Sequence, residues 1–165
     1  MIRTISIATL LTALAGSAQA QWVNDTEEDP FGDKKNSISM TIAGGYGFGF
    51  RCNGAAEYAI VYLTTEKASD GATTMNLMNP VLKLRIDDKP VIDLDAKVDN
   101  AGGKLRLSAF GPNALDAVKE ISSAKRRVAV AVEIVGSRFH TQSFGVSGSR
   151  NSIAKALAAC EIPTD

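Results

Sequence analysis

From Ser37 to Ile42 polar and apolar side chains alternate, with Ser37, Ser39 and Thr41 set against Ile38, Met40 and Ile42. A period of two marks a strand with one buried face, so the pattern predicts that the three apolar chains point to the core. Tyr58 to Thr65 (YAIVYLTT) predicts a second strand, apolar on both faces, and 66–76 (EKASDGATTMN) predicts a loop. Residues 81–109 predict an antiparallel meander with one apolar face. Leu82, Leu84 and Ile86 make its first row, Ile92, Leu94, Ala96 and Val98 its second, and Leu105, Leu107 and Ala109 its third. Turn chemistry separates the rows at Asp87-Asp88-Lys89-Pro90 and at 99–103. Gly111-Pro112-Asn113 opens a helix in which Leu115, Val118 and Ile121 keep helical spacing toward Ser123. Val128, Val130, Val132 and Ile134 then share one face of a strand, and 139–146 (FHTQSFGV) predicts another. Ser149 or Asn151 stands where a last short helix needs its cap. In that helix Ile153, Ala156, Leu157 and Cys160 fall at i, i+3, i+4 and i+7, which turns Cys160 inward.

Residues 44–54 (GGYGFGFRCNG) pose a choice between a phosphate-cradling loop and a strand. Phosphate loops run from strand through a glycine turn into a helix. Gly44 to Gly49 lacks the lysine of such loops, and no helical pattern follows directly. As a strand, 46–52 places Tyr46, Phe48, Phe50 and Cys52 on one face and Gly47, Gly49 and Arg51 on the other. That reading accounts for every residue and leaves a bare face that something approaches closely.

The first residues follow another pattern. Arg3 precedes an apolar run from Ile5 to Ala15, and Ala18-Gln19-Ala20 is a small-x-small cleavage site. Residues 1–20 therefore read as a secretory signal peptide, cut between Ala20 and Gln21. Residues 21–36 read as an acidic lead-in and 37–162 as a single β-rich domain. The oxygen ligands of Asp25, Glu27, Glu28, Asp29 and Asp33 raise calcium, but their spacing is not that of an EF-hand loop, and no metal or cofactor is expected. Trp22 and Phe31 are candidates to pin the lead-in to the domain. No later stretch is long and apolar enough to span a membrane as a helix.

Composition narrows the partners. The 18 basic and 18 acidic side chains balance, which gives no electrostatic case for nucleic acid. The two cysteines, Cys52 and Cys160, both follow the leader, and in an oxidising compartment they read as one disulfide. Such a compartment means a periplasmic or secreted protein.

Candidate chemistry is sparse. Asp93 and Asp95 share a strand face about 6.5–7 Å apart, near the carboxylate spacing of inverting glycosidases. Pairing Ile86 with Ile92 would instead set Arg85 against Asp93 and Lys83 against Asp95 as solvent-face ion pairs. His140 is the sole histidine, too little with two paired cysteines for zinc. Gly145-Val146-Ser147-Gly148-Ser149 approaches a nucleophile elbow but has Ser149 where that motif needs glycine. Lys125-Arg126-Arg127 is a basic corner able to hold an anion. No catalytic residue is assigned.

One longer pattern remains. Trp22 precedes an acidic stretch, and a strand ends in Arg51-Cys52. Leu84-Arg85-Ile86-Asp87 follows, with Pro90 after it and a valine-rich strand behind a short helix. Phe144, Gly148-Ser149, Ile153, Leu157 and Cys160 close the chain. Across roughly 22–162 this resembles the small periplasmic accessory proteins associated with type VI secretion systems. More distantly it is similar to the invasion-associated locus B family. The resemblance implies an exported β-rich domain with a disulfide and no active-site motif to carry over.

The fold expected is mainly β (α+β), an antiparallel sandwich-like or curved sheet with two short helices and one disulfide. The function expected is a non-catalytic binding or accessory role in the bacterial envelope, toward a secretion apparatus or host contact, with an unidentified protein partner. One alternative is a small-ligand binder or inhibitor with a pocket lined by Tyr46, Tyr58 and Tyr62. The other is a glycan hydrolase using Asp93 and Asp95, which requires both in one cleft.

Overall fold

A computed structural model describes residues 21–28, 32, 35–68 and 71–163. The expected leader with its cleavage residue Ala20 lies outside these, as do Asp29, Phe31 and Asp33 of the lead-in. The elements in chain order are β1 (Val23–Glu28), β2 (Lys35–Ala43), β3 (Tyr46–Asn53), β4 (Glu57–Lys67), α1 (Gly71–Leu77), β5 (Val81–Ile86), β6 (Ile92–Ala101), β7 (Lys104–Phe110), α2 (Pro112–Ser123), β8 (Arg127–Ile134), β9 (Ser137–Gly145) and α3 (Ser149–Ala159).

All 9 strands join one antiparallel sheet in the order β1-β2-β3-β4-β7-β6-β5-β8-β9. The sheet curls into a half-barrel, as the expectation of a curved sheet held. Its inner face is packed by α2 against β4, β7 and β6, and by α3 against β1, β2 and β3. Curling brings the two ends of the sheet together. The Trp22 N–H donates to the Ser147 carbonyl at 3.0 Å and its Nε1 to the Gly145 carbonyl at 2.9 Å. Phe144 of β9 stacks on Phe48 of β3 with ring centroids 5.4 Å apart, and Trp22 meets Phe48 edge-on at 5.9 Å. Trp22 therefore does pin the lead-in, and part of that lead-in is the edge strand β1 rather than a solvated approach.

The disulfide joins Cys52 of β3 to Cys160, the residue closing α3, across 108 positions of chain. It ties the second helix layer to the strand whose inner row is Tyr46, Phe48, Phe50 and Cys52. The strand reading of the glycine run is thus the observed one.

Four expectations are corrected. The first concerns β2, where Ser37, Ser39 and Thr41 are buried, Ile38 and Met40 are half-buried and Ile42 is 62% exposed. The face is inverted because α3 lies against it and both serine hydroxyls find partners there, while Thr41 Oγ1 is buried with none among the described residues. Ser39 Oγ bonds Ser152 Oγ of α3 at 2.7 Å, and Ser37 Oγ meets Thr26 Oγ1 and donates to the Asp25 carbonyl.

The second is the register between β5 and β6, which pairs Leu84 with Ile92, Lys83 with Asp93 and Leu82 with Leu94. Asp87 adopts a left-handed conformation (φ 51), and its carboxylate accepts the backbone N–H groups of Lys125, Arg126 and Arg127. The chain leaving Ile86 is held to that corner, so Pro90, with no N–H to give, and Val91 stay out of the ladder.

Third, α1 occupies most of the expected loop at 66–76, giving three helices instead of two. Asn76 docks it on β6, donating to the Val98 carbonyl at 2.8 Å and accepting the Val98 N–H at 2.7 Å. Fourth, α3 starts from Gly148 in the left-handed region (φ 82) with no side-chain cap. Ser149 is buried and donates to the Ile121 carbonyl of α2, a tie between the two helices.

Candidate functional site

The outer face of the sheet divides into two flanks. On the flank of β5, β6 and β8, Lys83 lies between Asp93 at 2.8 Å and Glu133 at 3.3 Å. The hydrogen bond to Asp93 raises the Lys83 pKa, with Glu133 adding to it. Arg138 approaches Glu133 at 3.6 Å. Arg85 stands beside Ala129, not Asp93, and Asp95 stands exposed opposite Val81. Asp93 and Asp95 thus share an open ladder, and the carboxylate of Asp93 is engaged by a lysine.

The flank of β1 to β4 and β7 is built otherwise. The register aligns Asp25, Ile38, Arg51, Ala59 and Phe110 in one outward row across five strands. The next row is Val23, Met40, Gly49, Val61 and Ser108, and a third holds Ile42, Gly47, Leu63 and Arg106. The glycines explain how these rows pack. A Cβ on Gly49 would sit 2.2 Å from the Ser39 carbonyl oxygen, and one on Gly47 would meet Met40 Cε at 3.2 Å. Neighbouring strands of the same chain therefore close on the bare face, with Met40 laid over it. Of the other residues in these rows, Val23 is 58% exposed, Ile42 62% and Phe110 53%, while Ala59, Val61 and Ser108 are buried.

A cleft of about 750 Å³ opens at the end of this flank, lined by Ile38, Arg51, Tyr58, Ala59 and Phe110, with Asp25, Glu27 and Glu57 also bordering it. Arg51 is half-buried, and its Nε is buried without a hydrogen-bond partner. No carboxylate among the described residues pairs with it. Asp25 lies in its row, but Ile38 stands between them. Asn53 Nδ2 donates to Glu57 at 2.8 Å.

The remaining candidates disperse. Tyr46 and Tyr62 stack on one another in the core at 5.7 Å, so of the three tyrosines only Tyr58 lines this cleft. The Tyr62 hydroxyl donates to the His140 carbonyl, and burial, with Tyr46 adding to it, raises its pKa. His140 thus acts through its backbone, at an irregular step of the β8–β9 ladder where it takes a left-handed conformation (φ 50). In the basic triplet the anion is internal: the three N–H groups hold Asp87, and Arg126 pairs with Asp88. Hydrogen bonds from Lys125 and Arg127 hold the Asp87 pKa below the ordinary carboxylate value. Ser147 is exposed at the turn before α3, and no histidine stands with it or with Ser149. Among the described residues no group of three His, Cys, Asp or Glu is placed to hold a metal, and no helix is long and apolar enough to cross a membrane. Gln21 is exposed just ahead of Trp22.

Sequence reasoning put Arg51 on the outer face but assigned it no role. Its signal was a lone cation in a strand otherwise made of glycine, aromatics and cysteine. Phe110 gave none, since one aromatic at a strand end is ordinary. Compared with family models, curated proteins and solved structures, the chain matches none of them.

Proposed function

We propose that this is an exported bacterial envelope protein with a non-catalytic binding or accessory role. Its outer β2–β3–β4–β7 flank docks a protein of the same compartment. The observation that carries the reading is the exposure of the apolar side chains Val23, Ile42 and Phe110 on this flank, in contrast to the ion pairs of Lys83 on the flank beside it. Large apolar side chains left in water on a sheet face are a natural place for a protein contact. The leader-like residues 1–20 and the Cys52–Cys160 disulfide support an oxidising compartment, periplasmic or beyond the cell. The resemblance to accessory proteins of type VI secretion supports a secretion apparatus as the setting.

The test is a capture experiment from envelope extract with three forms of the protein. Ile42→Glu with Phe110→Asp is expected to lose the protein that wild type retains, while Asp93→Asn retains it. Retention of the same protein by the double variant would overturn the reading.

A further inference from the structure

Trp22 is locked at the seam where the two ends of the sheet meet. It is buried, and its backbone N–H and its Nε1 are both held by carbonyls beyond β9 and at its end. Gln21, one residue earlier, is exposed, yet its place is set. A Cβ built on Gly148 would lie 3.4 Å from the Trp22 carbonyl oxygen and 3.7 Å from Gln21 Cγ, so Gln21 lies against the residue from which α3 starts. That end of α3 has no side-chain cap. The Ser149 N–H donates to the Val146 carbonyl and that of Ser152 to Gly148, which leaves the N–H groups of Arg150 and Asn151 without an acceptor among the described residues. Orphan N–H groups at a helix start carry partial positive charge. Arg150, exposed in the first turn with no ion pair among the described residues, adds a full one. Cleavage between Ala20 and Gln21 puts a further cation, the new α-ammonium, at this spot.

We propose that Gln21 is a modification site: once the leader is cut, it cyclises to pyroglutamate. This rests on the leader reading above. The α-amine nitrogen attacks Cδ of its own side chain, the bond from Cδ to Nε2 breaks, and ammonia leaves with the proton that the amine gives up. Amine and amide sit on one residue, so the attack is intramolecular. The ring uses only atoms of Gln21, so Trp22 keeps both of its hydrogen bonds. The positive surroundings act on the same step. They disfavour the ammonium and leave the neutral amine, which is the nucleophile. The product has no charge and brings a lactam carbonyl, an acceptor, to an uncapped helix end. It also closes the chain to aminopeptidases at the seam that Trp22 seals.

The test is mass spectrometry of the full chain, expressed with its leader in a bacterium and recovered from the envelope. Free amines are labelled before digestion, so only a ring formed in the protein escapes the label. The expected N-terminal peptide begins at Gln21, carries no label and is lighter by one ammonia. Gln21→Glu, which must lose water and closes far more slowly, is expected to be labelled there. A labelled Gln21 in wild type would overturn the proposal and leave the leader reading standing. A first residue other than 21 would overturn both. The part played by α3 is read from the rate. The full chain, released from its leader in vitro, is expected to cyclise about two- to fivefold faster folded than in denaturant, the scale of one charge at a helix end. Folded Arg150→Glu is expected to cyclise more slowly than folded wild type. Equal rates in all three would overturn the role given to the helix start.

Discussion

One sheet presents two outer flanks that solve the same problem differently. On β5, β6 and β8 the outward face carries a charged cluster whose members answer one another, Lys83 with Asp93 and Glu133. On β1 to β4 and β7 most of the outward positions are apolar; Arg106 pairs with Asp99 at the far side, while Arg51 at the centre has no ion pair among the described residues and its Nε is buried without a hydrogen bond. The first surface is complete in water. The second is incomplete, and the chain supports it from within by the disulfide at Cys52, the glycines that let β2 close on β3, and α3 against the buried hydroxyls of β2. The difference teaches where a partner is wanted: a flank left apolar and propped from behind is a surface kept in shape for contact.

The contrast breaks most heavily at the staple. Replacing Cys52 and Cys160 with serine opens a loop of 108 positions, worth roughly 4–5 kcal/mol in the chain-entropy account. Denaturant melts should show that loss, and hydrogen exchange should rise in β2 and β3 before it rises in β5 and β8. Uniform loosening would mean that the staple does not serve the apolar flank in particular. Next in size is a glycine pair. Gly49→Ala drives a methyl into the Ser39 carbonyl and should cost about 3 kcal/mol, whereas Gly47→Ala displaces only the flexible end of Met40 and should cost less than about 1. Equal costs would refute the close approach of β2.

Acid titration probes the corner that joins the charged flank to α2. The Asp87 pKa is lowered in the fold, first by the Lys125 and Arg127 N–H groups. Its contribution is therefore full above the ordinary carboxylate pKa and fades as pH falls through the lowered native one. Asp87→Asn should be less stable than wild type near neutrality, with the gap narrowing below about pH 4. A gap that holds constant through the acid range would show that the charge is not what grips those amides. The smallest effect belongs to Lys83→Met. Its ion pairs are solvent-facing, so melting should shift little and the shift should shrink in high salt.

The meander's faces were legible because Lys83, Arg85, Asp93 and Asp95 have nowhere to go but water. Leu82, Leu84 and Ile86 are buried as their spacing says. The aromatic row of β3 and the inward Cys160 were legible for a related reason, since bulk and sulfur share a face at strand or helix spacing. The face of β2 was not. Serine and threonine sit either in water or against a helix, and only Ser152 of α3, 113 residues away, decides between them. Nor was the β5–β6 register, which is set by Asp87 reaching the amides at 125–127 rather than by the turn between the strands. The site escaped for the same reason. Arg51 becomes notable only once the register shows that its immediate neighbours in the row are Ile38 and Ala59, not an acid.

The central claim is that the apolar flank, and not the charged one, is the contact surface. Site-specific photo-crosslinking in cells tests it most directly, with the reactive group placed in turn at positions 42, 110, 93 and 95. The account predicts one adduct of constant mass shift from 42 and 110 and none from 93 or 95. Adducts from 93 and 95, or none at all from 42 and 110, would contradict it.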